Sequence, residues 1–221
     1  MSFNVAIDGP AGAGKSTIAK RVAKKLGFIY VDTGAMYRAM ALYLIRSRVN
    51  KEDQDEIAIK CQDADISICY ENGEQIVLLN GENVNGLIRT EEVGNMASVS
   101  SSNPKLREKL VELQKKLAAE TDVIMDGRDI GTCVLPKADV KIYLTASSSE
   151  RAMRRFKELE EKGQECDLAQ IEADIIERDH RDMTREHSPL KQAEDALMID
   201  SSDMTIDEVV DKICALASEK M

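Results

Sequence analysis

Gly9-Pro10-Ala11-Gly12-Ala13-Gly14-Lys15-Ser16 is the stretch that decides the fold. It follows a short apolar run, Asn4 to Asp8, and opens an amphipathic pattern, Lys15 to Leu26. In that pattern Ile18, Ala19, Val22, Ala23 and Leu26 share one face and Gly27 supplies the stop. Glycines let a backbone curl until successive N–H groups point at phosphate oxygens, and a helix opening there adds the positive end of its dipole. Lys15 then supplies a point charge to the β- and γ-phosphates, Ser16 a hydroxyl to Mg²⁺, and Thr17 a donor in the first helical turn. Strand, loop and helix together predict a phosphate cradle for a nucleoside triphosphate over Gly9 to Thr17, with Mg²⁺ as the accompanying metal.

Working outward, four more short apolar runs read as buried strands: Phe28 to Asp32, Val123 to Asp126, Val140 to Thr145 and Leu197 to Asp200. Four of the five end in Asp, as parallel strands do at a ligand-facing edge. Between them lie helices with their own signals. Asn103-Pro104 is a cap followed by proline at the first helical position, ahead of a Leu106, Leu110, Leu113, Leu117 stripe. Ser147-x-x-Glu150 and Thr205-x-x-Glu208 are capping boxes. Strand alternating with helix predicts a P-loop α/β fold: three layers, α/β/α, around a five-stranded parallel sheet. The rhythm breaks from Ile66 to about Ile88, where two strand-like runs flank Asn72-Gly73, the signature of a hairpin. A small antiparallel insert is expected there.

The 221 residues suffice for one domain with an insert, and 43% are apolar, enough for a core. A net charge of -10 is the wrong sign for a protein that coats nucleic acid or an anionic membrane. No apolar run reaches the roughly 20 residues of a membrane span, and Met1 to Val5 carry no basic leader, so the expectation is a cytoplasmic monomer working on small molecules. Five scattered cysteines (Cys61, Cys69, Cys133, Cys166, Cys214) and two histidines predict neither disulfides nor a zinc site.

Which P-loop class this is depends on other residues. Asn50-Lys51-Glu52-Asp53 spells a guanine-reading motif, but too early in the chain, and reads as a polar loop. No D-x-x-G sequence ends the third strand, which argues against a GTPase. Arg151, Arg154 and Arg155 fall at i, i+3, i+4, and Arg178, Arg181 and Arg185 at i, i+3, i+7, two trios joined through a turn at Gly163. They suit a lid closing over phosphates. They also have carboxylates at helical spacing (Asp174/Arg178, Glu177/Arg181, Arg154/Glu158), so surface ion pairs are the competing reading.

Asp32-Thr33-Gly34-Ala35-Met36-Tyr37-Arg38, Ile88-Arg89-Thr90, Asp126-Gly127-Arg128-Asp129-Ile130-Gly131-Thr132 and Glu177-Arg178-Asp179-x-Arg181-Asp182 together resemble the bacterial cytidylate kinases, end to end. The resemblance implies a nucleoside monophosphate kinase with core segments 1–34, 108–150 and 186–221, a monophosphate region with the β insert at 35–107, and a lid at 151–185. It implies that Arg38, Arg128, Arg178 and Arg185 surround the acceptor phosphate with Thr33 nearby, and that Asp182 meets the ribose. It also implies that Ser98, Arg107 and Asp129 face the base. A carboxylate and a cationic donor suit the exocyclic amine and bare N3 of cytosine and mismatch uracil; Asp129 as a plain salt-bridge partner of Arg128 or Arg107 is the alternative. The implied reaction is ATP plus CMP, or dCMP, to ADP plus the diphosphate, with Lys15, Arg128, Arg151, Arg154, Arg155 and Arg181 stabilising the moving phosphoryl group. Asp126 either orients a metal-bound water or caps the following turn. A P-loop kinase for another small acceptor and a nucleotide-binding module without turnover are the other classes to test.

Overall fold

The computed structural model describes residues 2–221. In chain order its elements are β1 (Asn4–Asp8), α1 (Lys15–Leu26), β2 (Ile29–Asp32), α2 (Thr33–Arg46), α3 (Gln54–Lys60), β3 (Ile66–Glu71), β4 (Glu74–Leu79), β5 (Glu82–Asn83), α4 (Glu91–Ser100) and α5 (Pro104–Glu120). They continue as β6 (Val123–Gly127), a π-helical turn (Ile130–Val134), β7 (Val140–Thr145), α6 (Ser148–Glu161), α7 (Leu168–Thr184), β8 (Leu197–Asp200) and α8 (Ile206–Ser218). The principal sheet has the five expected strands, in the order β2-β6-β1-β7-β8, and the insert forms a separate sheet, β3-β4-β5.

By packing, the chain divides into two compact units, one of residues 3–28 and 123–221 and one of residues 29–122 together with the extreme N-terminus. In the first of these, β1 lies parallel between β6 and β7, and β7 pairs in parallel with β8. Val5, Ala6 and Ile7 have no solvent exposure, which is why β1 reads as a continuous apolar run rather than an alternating one. Helix α1 buries Ile18, Ala19, Val22 and Ala23 of the predicted face, leaves Leu26 half-buried, and ends as predicted at Gly27 in the left-handed conformation. Of the two predicted capping boxes, Thr205/Glu208 forms reciprocally; at Ser147 only half forms, the hydroxyl accepting from the Glu150 N–H while the Glu150 carboxylate turns to Arg154.

In the other unit, Asn72 and Gly73 both have positive φ, the geometry that joins β3 to β4 in register from Ile66/Leu79 to Glu71/Glu74. Strand β2 ends the principal sheet, and an edge strand offers unpaired backbone groups. Side chains of the insert cover them: Tyr70 Oη donates to the Tyr30 carbonyl (3.2 Å), and the Gln75 amide both accepts from the Asp32 N–H (2.8 Å) and donates to its carbonyl (3.2 Å). Asn103 caps α5 with Pro104 in the first turn, as expected, but the buried face runs through Leu106, Arg107, Leu110, Gln114 and Ala118. Leu113 and Leu117 are only half-buried, so the leucine stripe points slightly off the core. Asn50 to Asp53 is a polar lead-in, with Asp53 accepting from the Glu56 N–H to cap α3. Helices α3 and α4, strand β5 and the π-helical turn had no distinct sequence signal. Among the described residues, no helix is long and apolar enough to cross a membrane, and all five cysteines are free thiols.

Candidate active site

The cradle begins where β1 ends. Gly9 has φ of 150°, and a Cβ built there would lie 1.9 Å from the Leu144 carbonyl oxygen, so only glycine lets this loop pass β7. Gly14 caps α1 in the left-handed conformation and Lys15 turns back, its Nζ donating to the Pro10 carbonyl (2.6 Å). Burial, and then the Arg128 guanidinium, push the Lys15 ammonium well below its ordinary pKa, against the opposing pull of Asp126 and Asp8. Ser16 Oγ donates to Asp126 Oδ2 (3.0 Å), which places the Asp126 carboxylate against the hydroxyl expected to meet Mg²⁺. Asp126 thus stands by Ser16 rather than acting only on its own turn.

The arginine trios separate. Arg151 is buried, with its guanidinium donating to the carbonyls of Ala146 (2.9 Å) and Ala11 (2.9 Å) and to Asp179 Oδ2 (2.6 Å). The other Asp179 oxygen accepts from the Ala11 N–H (3.3 Å), so Arg151 and Asp179 clamp both sides of the P-loop at one residue. Arg154 lies beside Glu150 (3.1 Å) and donates to the Ser201 carbonyl (2.8 Å). Arg155 pairs with Glu158, and Arg181 with Glu177 at 3.6 Å. Of the spacing-based pairs, Glu177/Arg181 forms; Arg154 takes Glu150 instead of Glu158, and Asp174 accepts from Gln170.

A second cluster follows β6. Arg128 Nε donates to Asp182 Oδ2 (2.9 Å), and Arg185 lies 3.8 Å from Asp129 and 3.9 Å from Asp182. Burial raises the Asp182 carboxyl, but Arg128, with Arg178 and Arg185, outweighs it and holds the group below the ordinary carboxylate value. Arg178 also acts electrostatically on Lys15, which links this cluster to the cradle. Arg185 sits just past the end of α7, and its Nε donates to the carbonyl of Ser188, a residue with φ of 52°.

The unit of residues 29–122 carries the other implied residues. Thr33 is buried at the start of α2, beneath the cap in which Asp32 accepts from the Ala35 N–H (2.9 Å) and pairs with Arg89 (2.6 Å). Arg38 donates to the Ile88 carbonyl (3.2 Å). Arg107 is buried, donates to the Ser101 carbonyl (3.1 Å), and stacks 5.3 Å from the centroid of Tyr37. The Ser98 hydroxyl, on α4, is buried with no hydrogen-bond partner among the described residues. Such an atom costs about 1–3 kcal/mol unless something satisfies it.

Gly94 was missed by sequence reasoning, because a glycine inside a helix reads only as a weak spot. A Cβ there would lie 3.1 Å from Arg38 Nη1 and 3.4 Å from Nη2, so the bare backbone of α4 is the wall against which that guanidinium rests. Gly94→Ala gains about 1 kcal/mol of helix propensity while shifting Arg38 by a few tenths of an ångström. The expected result is an equal or higher melting temperature with a KM for the acceptor raised several-fold; an unchanged KM would count against Arg38 as an acceptor residue.

Lysine, arginines and a hydroxyl paired with a carboxylate, all built around a phosphate loop, equip a protein to position phosphates and neutralise their charge. This is the chemistry of a P-loop phosphotransferase. The sequence profile of the family described as Cytidylate kinase matches residues 5–219. The cytidylate kinase of Caldicellulosiruptor saccharolyticus is 53% identical over 97% of this chain and 95% of its own. That of Listeria innocua serovar 6a is 53% identical over 98% and 96%. The chain belongs to the cytidylate kinase family. Among solved structures, a gluconokinase from Sinorhizobium meliloti 1021 superposes with a TM-score of 0.51 at 11% identity, over 98% of this chain and 92% of its own. At that identity the likeness speaks for the fold alone.

Proposed function

We propose that this member of the cytidylate kinase family transfers the γ-phosphoryl group of ATP to CMP, and to dCMP, with residues 35–107 as the acceptor region and 151–185 as the lid. The observation that carries the reading is the Arg128–Asp182 pair with Arg185 beside it, electrostatically linked through Arg178 to the P-loop lysine. The acceptor is already an anion, so no strong general base is required; the work is to hold two polyanions in line and neutralise charge. Lys15 neutralises the β- and γ-phosphates, and Arg154, Arg155 and Arg181 exchange their carboxylate neighbours for the moving phosphoryl oxygens. Arg38, Arg128, Arg178 and Arg185 take the acceptor phosphate with Thr33, and Asp182 the ribose. Ser98, Arg107 and Asp129 read the base, the buried Ser98 hydroxyl thereby gaining a partner.

The Ser16 hydroxyl and Asp126 carboxylate form a hard oxygen pair of the kind Mg²⁺ takes alongside phosphate and water. Bound with ATP, Mg²⁺ would supply neutralisation of the phosphate charge. Ser16 would be its ligand and Asp126 would hold one of its waters.

The test is ADP release from MgATP with CMP, dCMP, UMP, AMP and GMP as acceptors, on the wild type and on Asp129→Ala. CMP and dCMP should lead. Asp129→Ala should lower kcat/KM for CMP by at least about tenfold, as expected for losing a hydrogen bond to a charged group, and narrow the gap to UMP. Equal losses for CMP and UMP would make Asp129 structural, and no turnover with any acceptor would leave a nucleotide-binding module.

A further inference from the structure

Asp8, at the end of β1, is a buried carboxylate to which the proposed chemistry gives no task. Its Oδ1 accepts from the Ile130 N–H (2.8 Å) and its Oδ2 from the Gly131 N–H (2.7 Å). Those two donors open the π-helical turn immediately after Asp129. On the other side of the same dipeptide, Gly127 is the register partner of Asp8 in the β1–β6 ladder. One residue therefore stands at both ends of Arg128-Asp129: its backbone lies in register with Gly127, and its carboxylate fixes Ile130 and Gly131.

The surroundings show that these amides are what the carboxylate is placed for. Lys141, on β7, lays its stem along the turn, with its Cδ 3.2 Å from where a Gly131 Cβ would be. Its ammonium, however, turns away to the Pro136 carbonyl (2.6 Å) and Asp195 (2.8 Å). Lys15 lowers the Asp8 pKa only as the smallest of several influences, and Asp129 raises it. Burial dominates and pushes the carboxyl up to about 6 despite the two amide bonds. A buried carboxylate retained at such a cost, and bonded to two consecutive backbone donors, marks a position where the turn itself is what matters.

We infer that Asp8 is a positioning residue: through the Ile130 and Gly131 amides it sets where Arg128 and Asp129 stand, and so governs recognition of the nucleoside monophosphate acceptor without touching it. The inference rests on the acceptor roles proposed for Arg128 and Asp129.

Asp8→Asn keeps the shape but leaves one amide facing an NH₂ group in place of an acceptor. The KM for CMP should rise about tenfold, since small misplacements of positioning groups cost of that order or more, and selectivity over UMP should fall with it. The KM for MgATP should rise less than that for CMP, because Asp8 acts on the cradle only through a charge interaction with Lys15 weaker than that of Asp126. Gly131→Ala, whose Cβ would press on Asp8 Oδ2 (3.3 Å) and Lys141, should give a weaker version of the same split. Stability gives a separate readout. The native pKa of Asp8 lies above its unfolded value, so its favourable contribution is complete below about 4 and is lost as pH rises through about 6. Relative to wild type, Asp8→Asn should therefore gain melting temperature between pH 4 and pH 7. Equal rises in KM for CMP and MgATP, or no change in the KM for CMP with either variant, would overturn the inference. If Asp129→Ala in parallel leaves CMP recognition untouched, the acceptor assignment itself has failed; if it weakens CMP while Asp8→Asn does not, only the role of Asp8 has.

Discussion

Lys15→Met should reduce kcat by about 10²–10³-fold or more, the loss that follows removal of a single preorganised charge donor at a transition state, while the protein melts no earlier than wild type. The two halves of this expectation share one cause. The ammonium is buried beside Arg128 and Arg178, and its pKa is depressed by burial first and Arg128 second. The depressed value means that folding favours the neutral amine, so this group's contribution is present at alkaline pH and turns unfavourable as pH falls through the native pKa. A charged Lys15 is thus a local liability, offset in part by Asp126 and Asp8 and by the bond to the Pro10 carbonyl. Methionine has similar length, removes the charge, and fills the same space. Steady-state ADP release with CMP, together with scanning fluorimetry of the unliganded protein, checks both. Full turnover in the variant would remove Lys15 from the mechanism; a large drop in melting temperature would show its ammonium to be a net stabiliser.

What could be read from the sequence was whatever depends on near neighbours in the chain. The P-loop, the Asn72-Gly73 hairpin, the Asn103-Pro104 start of α5 and the Thr205/Glu208 box each follow from a few adjacent residues, and each stands where expected. Bonds made across the fold left no local trace. Asp8 reaches amides more than a hundred residues on, and Gln75 pairs with the peptide of Asp32 across 43 positions. Either residue, taken alone, reads as an ordinary polar side chain at a strand end. Hydropathy misled in a different way along α5, where Arg107 and Gln114 are buried and Leu113 is not, because polar core residues are invisible to an apolar pattern. For the arginines, shared helical spacing does not fix a shared environment. Positions i and i+4 share a face but sit one turn, about 6 Å, apart along the axis, so Arg151 in the first turn of α6 lies inside the protein while Arg155, a turn further on, is half exposed.

That difference makes Arg151 the site of the largest expected effect on the fold. Its pair with Asp179 is 2.6 Å long with both side chains about nine-tenths buried, and the two grip Ala11 from its carbonyl and its N–H. Removing one partner strands the other charge in the interior, which costs about 3–5 kcal/mol. Arg151→Met and Asp179→Leu should therefore each lower the denaturation midpoint sharply. The double variant, which buries two apolar side chains in place of two charges, should recover much of the loss, as replaced buried ion pairs commonly do. Catalysis should not recover with it, because the double variant still lacks the bonds that shape the P-loop at Ala11. The expected pattern is a large coupling energy in stability beside a KM for MgATP that stays raised in all three variants. A catalytic Arg151 acting on the moving phosphoryl group predicts the reverse: a drop in kcat with Arg151→Met at little cost in stability, and no relief in the double variant. Urea melts and initial rates on the same three proteins separate a strut that shapes the cradle from an arginine that touches phosphate.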